Sequence, residues 1–476
     1  MNICWEGIME KLYDALIKYA KSDYVPFHMP GHKRRLMEFE NPYSFDITEI
    51  DGFDNLHHAE GILKDAQKYA SKVCQADETH FLVNGSSGGI LSAVFSATKQ
   101  GGSILMARNC HKSVYHAAQL CQLKTYYLYP EFLPSGILGE IKAEMVSEAL
   151  EKHPEVKTLI LTSPTYDGVV SDIKSIVREA HAKGVTVLVD EAHGAHFLKE
   201  SGFPKSAIRC GADVVIQSTH KTLPALTQTA LLHINQDYKY KEELRNYLTM
   251  FQTSSPSYVL MASIDAAMHW YMEEGREAFG QYLSNLKKLR SALKSQLNIL
   301  KLITPEEVYD YDISKVLIST DHSNLSGEEL YQKLLKKYHI QAEMVSSSYV
   351  LFMTSVADEE EFYRRLMDAL IEIDGGLEKN TLSERKERDP IRPKALMSIS
   401  EAMEKPKKGV PLPESMGEIS GVYLYIYPPG IPLLTPGEKI SEECVCRIRS
   451  YLEDGLEIHG LTKNQEVEVL WEEYFT

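Results

Sequence analysis

Val187-Leu188-Val189-Asp190-Glu191-Ala192-His193 is an apolar run that ends in an acid, and Val214-Val215-Ile216-Gln217-Ser218-Thr219-His220-Lys221 is a second run that ends in a base, its Lys221 falling 31 residues after Asp190. Similar short β-rich runs recur at 103–107, 124–129, 157–162, 185–189 and 213–217. Helical periodicity fills 111–121, 140–152 and 172–183 between several of them. Strands alternating with helices predict βαβ units, hence an α/β fold with a mainly parallel sheet and helices on both faces. In open sheets of this kind ligands bind outside the carboxyl ends of the strands, where Asp190 and Lys221 fall.

Working outward, a helical pattern at 61–76 precedes the apolar run His80-Phe81-Leu82-Val83-Asn84, the turn Gly85-Ser86-Ser87-Gly88-Gly89 and a helical stretch at 90–100. Beyond about 270 the pattern changes. A long amphipathic helix is expected at 275–300, and strands near 314–319 and 349–354 with a helix between them predict a second, small α/β unit. The polar segment 377–416 reads as a linker or surface excursion, with the charged run Glu384-Arg385-Lys386-Glu387-Arg388-Asp389 inside it. A last unit holds Val422–Tyr427 and a closing helix at about 440–454. The expected division is an N-terminal arm (1–60), a major domain (61–270), a small domain (271–376), and a linker with a C-terminal α+β domain (377–476).

Composition sets the broad class. Apolar residues make up 43% and charged residues 25% of the 476, the balance of a soluble globular protein. A formal net charge of −16 argues against nucleic acid as a partner. No apolar run approaches the ~18 residues of a membrane span, and Met1–Glu6 lacks the basic and apolar regions of a signal peptide. The seven cysteines form no C-x-x-C pair, so a reducing cytoplasm and no metal site are expected.

Three segments carry candidate chemistry. Glycines in Gly85–Gly89 let the backbone approach a phosphate, and helix N-terminal N–H groups with the hydroxyls of Ser86 and Ser87 would hold it. Asp190 ends an apolar strand, where an acid is costly without a partner. It reads either as a helix N-cap or as the carboxylate that keeps a pyridine nitrogen protonated. Lys221 reads either as a solvated loop lysine or, desolvated, as an amine nucleophile.

Order and spacing together resemble the PLP-dependent ornithine/lysine/arginine decarboxylases, enzymes of the aspartate-aminotransferase-like fold type I. The resemblance runs from Phe27-His28-Met29-Pro30-Gly31-His32-Lys33 and Asp46-Ile47-Thr48-Glu49 through the Gly85 turn and Asn109-Cys110-His111-Lys112-Ser113. It continues through the Asp190 and Lys221 segments to Gln252–Tyr258, Tyr427-Pro428-Pro429-Gly430-Ile431-Pro432 and Pro436-Gly437-Glu438. It implies pyridoxal 5′-phosphate bound covalently at Lys221, with Asp190 pairing with the pyridine nitrogen. It also implies that His111 stacks on the ring, that Ala192 packs against it with His193 nearby, and that Ser86, Ser87, Ser218 and His220 surround the phosphate. The implied reaction is decarboxylation of a basic amino acid, arginine ahead of lysine or ornithine, in polyamine biosynthesis. The implied assembly is a homodimer, or a pair of dimers, with shared sites in which Ser254 reaches the partner's phosphate. Only about 80 residues precede the phosphate turn, so the receiver-like domain of the large inducible members is not expected; the chain looks like the short bacterial form.

Rival readings make other demands. Gly85–Gly89 also satisfies G-x-S-x-G, and Ser87, Asp190 and His193 follow in hydrolase order. That reading leaves Lys221 without a role. Histidine pairs 193/196 and 111/116 lack the carboxylates or thiols that would complete a metal site. A non-catalytic relative would have lost Lys221 or Asp190. An aminotransferase or β-lyase shares the cofactor and is opposed only by the family-specific motifs.

Overall fold

Five of the apolar runs become neighbours in one seven-stranded sheet. The computed structural model describes residues 12–34, 40–379, 390–427 and 430–471. Expectations that touch 1–11, the run 384–389 and Pro428-Pro429 lie outside the described residues. The strands are β1 (Glu78–Leu82), β2 (Ser103–Ala107), β3 (Lys124–Leu128), β4 (Thr158–Thr162), β5 (Thr186–Asp190), β6 (Val214–Gln217) and β7 (Ala230–Ile234). Their order is β1-β7-β6-β5-β4-β2-β3. Only β7 runs antiparallel to its neighbours; β6, β5, β4, β2 and β3 pair in parallel. Leu159, Ile160, Val187, Leu188, Val214 and Val215 are fully buried. Strands covered on both faces read as unbroken apolar runs rather than alternation, which is why these stood out.

Helices α1 (Gly85–Ala97), α2 (Lys112–Leu120), α3 (Ala143–Lys152) and α4 (Ile173–Ala182) make the crossovers. Gly85 is at φ +67°, a backbone that favours glycine, and its N–H donates to the Gln228 carbonyl at 2.9 Å. That contact ties the start of α1 to the loop that follows Lys221. Asp172 caps α4 by accepting from the Ser175 N–H at 3.1 Å.

The small unit carries four strands, β8 (Lys301–Leu302), β9 (Lys315–Ser319), β10 (Met344–Val345) and β11 (Tyr349–Met353), in the order β8-β9-β11-β10. All three pairings are antiparallel, so this sheet is built differently from the central one. Helices Arg276–Gln296, Gly327–Tyr338 and Glu360–Gly375 accompany it.

The first part of the N-terminal arm packs on its own chain. Val25–Phe27 pairs in parallel with Ile340–Ala342 of its own chain, and Val25 and Phe27 are fully buried in the small unit's core. Gly31 follows so close to the loop of Lys221 that a Cβ there would lie 2.7 Å from the Leu223 carbonyl oxygen.

The C-terminal unit pairs Lys407–Pro411 with Glu466–Leu470, and flanks Leu424–Ile426 with Ile431–Leu434 and Ile458–His459 beside the helix Glu442–Glu453. Arg108, just after β2, donates to Glu438 at 3.2 Å and to the Leu433 carbonyl at 3.2 Å. This buried contact fastens the C-terminal unit to the carboxyl edge of the sheet.

Candidate active site

The carboxyl ends of β1, β2, β4, β5 and β6 face one cavity of about 610 Å³. Its walls include Ser86, His111, Thr162, Asp190 and Lys221 from the major domain, Glu343 and Tyr349 from the small unit, and Tyr427, Arg447 and Tyr451 from the C-terminal unit.

Asp190 is the last residue of β5 and is 2% exposed. One of its oxygens accepts the Ala192 N–H at 3.1 Å. Residues 191–200 form turns, so there is no helix for Asp190 to cap. Burial raises its pKa and the charge of Lys221 opposes that shift. Lys221 lies in the short helix Thr219–Thr222 that follows β6, half-buried. Burial lowers its pKa, against the attraction of Asp190 and then Glu343. Its Nζ is 3.0 Å from His193 Nε2. Burial, reinforced by the charge of Lys221, holds His193 well below the usual histidine range, so the ring is neutral and its Nε2 can accept from the amine. Nδ1 of the same ring is buried without a hydrogen-bond partner among the described residues.

The phosphate-turn residues fall beside them. Ser86 and Ser218 hydroxyls meet at 2.5 Å, joining the start of α1 to the end of β6. Ser87 is exposed at the cavity, as the second residue after the glycine that starts α1. His220 Nδ1 bonds the Thr229 carbonyl at 2.7 Å, and burial brings its pKa down to about 4. His111 caps α2, its Nδ1 accepting from the Ser113 N–H at 3.2 Å, and burial followed by the charge of Lys221 brings its pKa down to about 3. Ala192 is 7% exposed and lines the cavity. Of the residues singled out in the sequence, Gly85, Ser86, Ser87, His111, Asp190, Ala192, His193, Ser218, His220 and Lys221 therefore converge. Ser254 does not: it lies on an exposed turn outside this chain's own cavity wall.

The hydrolase arrangement is not assembled: His193 is engaged with Lys221 and Asp190 with the Ala192 N–H, so among the described residues neither forms a relay to Ser87. His196 of the candidate metal pair is engaged with Asp312 at 3.2 Å.

Sequence reasoning missed the acidic wall. Glu343 accepts from the Met29 N–H at 2.9 Å and from the Tyr166 hydroxyl at 2.5 Å. Asp167 accepts from the Tyr349 hydroxyl at 2.8 Å. Both belong to unremarkable local patterns, Gln341-Ala342-Glu343-Met344 and Thr165-Tyr166-Asp167-Gly168. Only the packing of the small unit on the sheet brings them together.

Pyridoxal phosphate fits this donor set. Two hydroxyls and a helix N-terminus answer a phosphate. A buried carboxylate with one backbone hydrogen bond answers a protonated ring nitrogen. Asn109 Oδ1, Thr162 Oγ1 and His193 Nδ1 are buried polar atoms without partners among the described residues, and all three residues face the cavity.

Comparison with known proteins gives the same direction. Residues 10–322 match the family model described as "Orn/Lys/Arg decarboxylase, major domain", and residues 384–463 the one described as "Orn/Lys/Arg decarboxylase, C-terminal domain". Arginine decarboxylase of Halalkalibacterium halodurans is 33% identical, over 94% of this chain and 94% of its own. Arginine decarboxylase of Bacillus subtilis is 34% identical, over 94% of this chain and 95% of its own. Among solved structures, lysine decarboxylase of Francisella novicida superposes with a TM-score of 0.78 at 23% identity, covering 96% of this chain and 80% of its own. Ureidoglycine-glyoxylate aminotransferase of Bacillus subtilis superposes with a TM-score of 0.55 at 13% identity, covering 67% and 86%. These two likenesses concern the fold, which is that of the fold type I enzymes.

Proposed function

Because the chain belongs to the Orn/Lys/Arg decarboxylase family, we propose that it removes the α-carboxylate of arginine as CO2, with pyridoxal phosphate held at Lys221. The observation that carries the residue assignment is the placement of a half-buried Lys221 and a 2% exposed Asp190 at the ends of adjacent strands on one cavity. When bound, the cofactor supplies the electron sink for the bond pair that CO2 leaves behind.

The chain's own residues do the rest. Ser86, Ser218 and the start of α1 would hold the phosphate. Asp190, kept from water, would hold a proton on the ring nitrogen. His111 and Ala192 would flank the ring. His193 Nε2, 3.0 Å from Nζ, can accept a hydrogen bond from the Lys221 amine, while burial lowers the pKa of Lys221 toward its nucleophilic form. Glu343 and Asp167 make the cavity attractive to a cationic side chain. The C-terminal unit narrows the opening with Tyr427, Arg447 and Tyr451 and thereby excludes water.

Shared sites in a homodimer fit Ser254, which is exposed and is not part of its own chain's cavity wall. The described helices include none long and apolar enough to cross a membrane, in keeping with action in the cytoplasm. The test is CO2 release by the pure protein with pyridoxal phosphate, on arginine, lysine and ornithine in parallel. The expected result is turnover of arginine with kcat/KM above those of the other two. No release from any of them would overturn the reading.

A further inference from the structure

The turn that follows β4 is tied at both ends: Thr165 N–H donates to the Val169 carbonyl at 2.8 Å and Gly168 N–H to the Thr165 carbonyl at 3.0 Å. Its outer side is pinned by Asp312, whose N–H donates to the Gly168 carbonyl at 2.8 Å. Asp167, held on this turn, is 9% exposed and lines the cavity of Lys221. The Tyr349 hydroxyl donates to its Oδ1, and no other hydrogen bond to this carboxylate forms among the described residues. A carboxylate can accept about four.

The nearby cation is already committed. Lys315 Nζ lies 2.9 Å from Asp312 Oδ2, with both side chains at zero exposure. Asp167 thus has a buried acid group, a hydroxyl donor and, among the described residues, no salt-bridge partner; burial pushes its pKa up to about 6. A buried carboxylate in that condition is stabilised by a cation arriving from the open side. Glu343, by contrast, already takes one donor on each oxygen, from Tyr166 and from Met29. The neighbours Tyr166 and Asp167 reach two segments of the small unit, Glu343 just before β10 and Tyr349 at the start of β11, and β10 and β11 pair with each other. Two carboxylates are brought to one wall by that pairing.

An ammonium is a compact charge with three donors, which one carboxylate suits. A guanidinium is planar, with five N–H groups, and can span two. We propose that Asp167 is the specificity residue of this cavity, binding the distal guanidinium of the substrate and so favouring arginine over lysine. This rests on the decarboxylase reading above. The competing role is structural: Asp167 as a latch that ties the turn to Tyr349.

Two variants of the holoenzyme separate these roles. Asp167→Asn keeps an acceptor for the Tyr349 hydroxyl and removes the charge. Losing a charge-assisted contact of this kind should raise KM for arginine about tenfold to a hundredfold, with kcat for arginine within about threefold of the parent and KM for lysine rising by a clearly smaller factor. Calorimetric titration with agmatine, the decarboxylated form of arginine, should show an equal loss of affinity, independent of turnover. Tyr349→Phe cuts the latch and keeps the carboxylate, so the arginine-to-lysine preference should stay within about threefold of the parent. Unchanged agmatine affinity in Asp167→Asn, equal losses for arginine and lysine, or the same shift in both variants would each overturn the assignment in favour of the latch. A parent protein that turns over lysine in preference to arginine would overturn it too. A parent that releases no CO2 from any basic amino acid sinks the decarboxylase reading instead, and the agmatine titration still reads Asp167.

Discussion

Glu438→Gln should loosen the C-terminal unit from the rest of the molecule. The carboxylate is 1% exposed, and Arg108, its partner at 3.2 Å, is 7% exposed. Burial raises the pKa of Glu438 while the charge of Arg108 opposes it, and the Thr435 N–H donates to the same oxygen at 2.7 Å. Arg108 also donates to the Tyr115 hydroxyl at 2.7 Å and to the Leu433 carbonyl at 3.2 Å, with the Tyr127 ring 5.2 Å away. Removing one member of a buried pair leaves the other charge uncompensated, at a cost of roughly 3–5 kcal/mol. The amide oxygen of Gln can still accept from Thr435, which returns about 1 kcal/mol, so about 2–4 kcal/mol is expected. A chain of several units does not unfold in one step, so the loss should show as an earlier, separate transition in scanning calorimetry. It should also show as faster proteolysis after residue 390. Ile431, Pro432 and Leu433 line the cavity beside Arg108, so KM should rise as well. The double replacement Arg108→Met with Glu438→Leu removes both charges and should recover much of the stability, because well-packed apolar pairs often equal buried ion pairs. An unchanged calorimetric profile and KM in Glu438→Gln would refute this reasoning, as would a double variant less stable than either single one.

Three further outcomes follow from the same geometry. Asp190→Asn, close to isosteric, should lower kcat about a thousandfold, the equivalent of ~4 kcal/mol, whereas near-normal turnover would reduce Asp190 to a structural residue. Asp312→Ala strands Lys315 at zero exposure and should destabilise the fold by roughly 3–5 kcal/mol in denaturant titration; because Lys315 holds the Asp312 carboxyl well below the usual range, the pair's stabilisation is complete above the unfolded carboxylate pKa and is lost only as pH falls through the lower folded value. For assembly, light scattering should give twice the chain mass or more, and mixing Lys221→Ala chains with Ser254→Trp chains should restore activity absent from each alone; an active monomer would contradict shared sites.

What was legible in the sequence follows from where its signals come from. β4, β5 and β6 are buried on both faces, so they announce themselves as apolar runs, and the polar residues that end them had to be at the carboxyl edge. Asp190, Ser218 and Lys221 were found for that reason. β7 escaped notice: Ala230–Ile234 looks like any other buried strand, and nothing local records that it runs against its neighbours. The antiparallel build of the small unit was hidden likewise. Glu343 and Asp167 lie more than 170 residues apart in sequence and become one wall only through tertiary packing, which leaves no trace in local periodicity. Pro436-Gly437-Glu438 was visible as a motif, but its purpose as an anchor needed Arg108 opposite it. The Pro, Gly and His content of the N-terminal arm gave no local sign of the pairing that Val25–Phe27 makes with Ile340–Ala342.

The most direct test of the account is to reduce the pyridoxal-phosphate-loaded protein with borohydride and map the modified peptide. The account predicts one pyridoxyl group per chain, on Lys221, with loss of the visible absorbance and no labelling in Lys221→Ala. A label on any other lysine, or none at all, would contradict it.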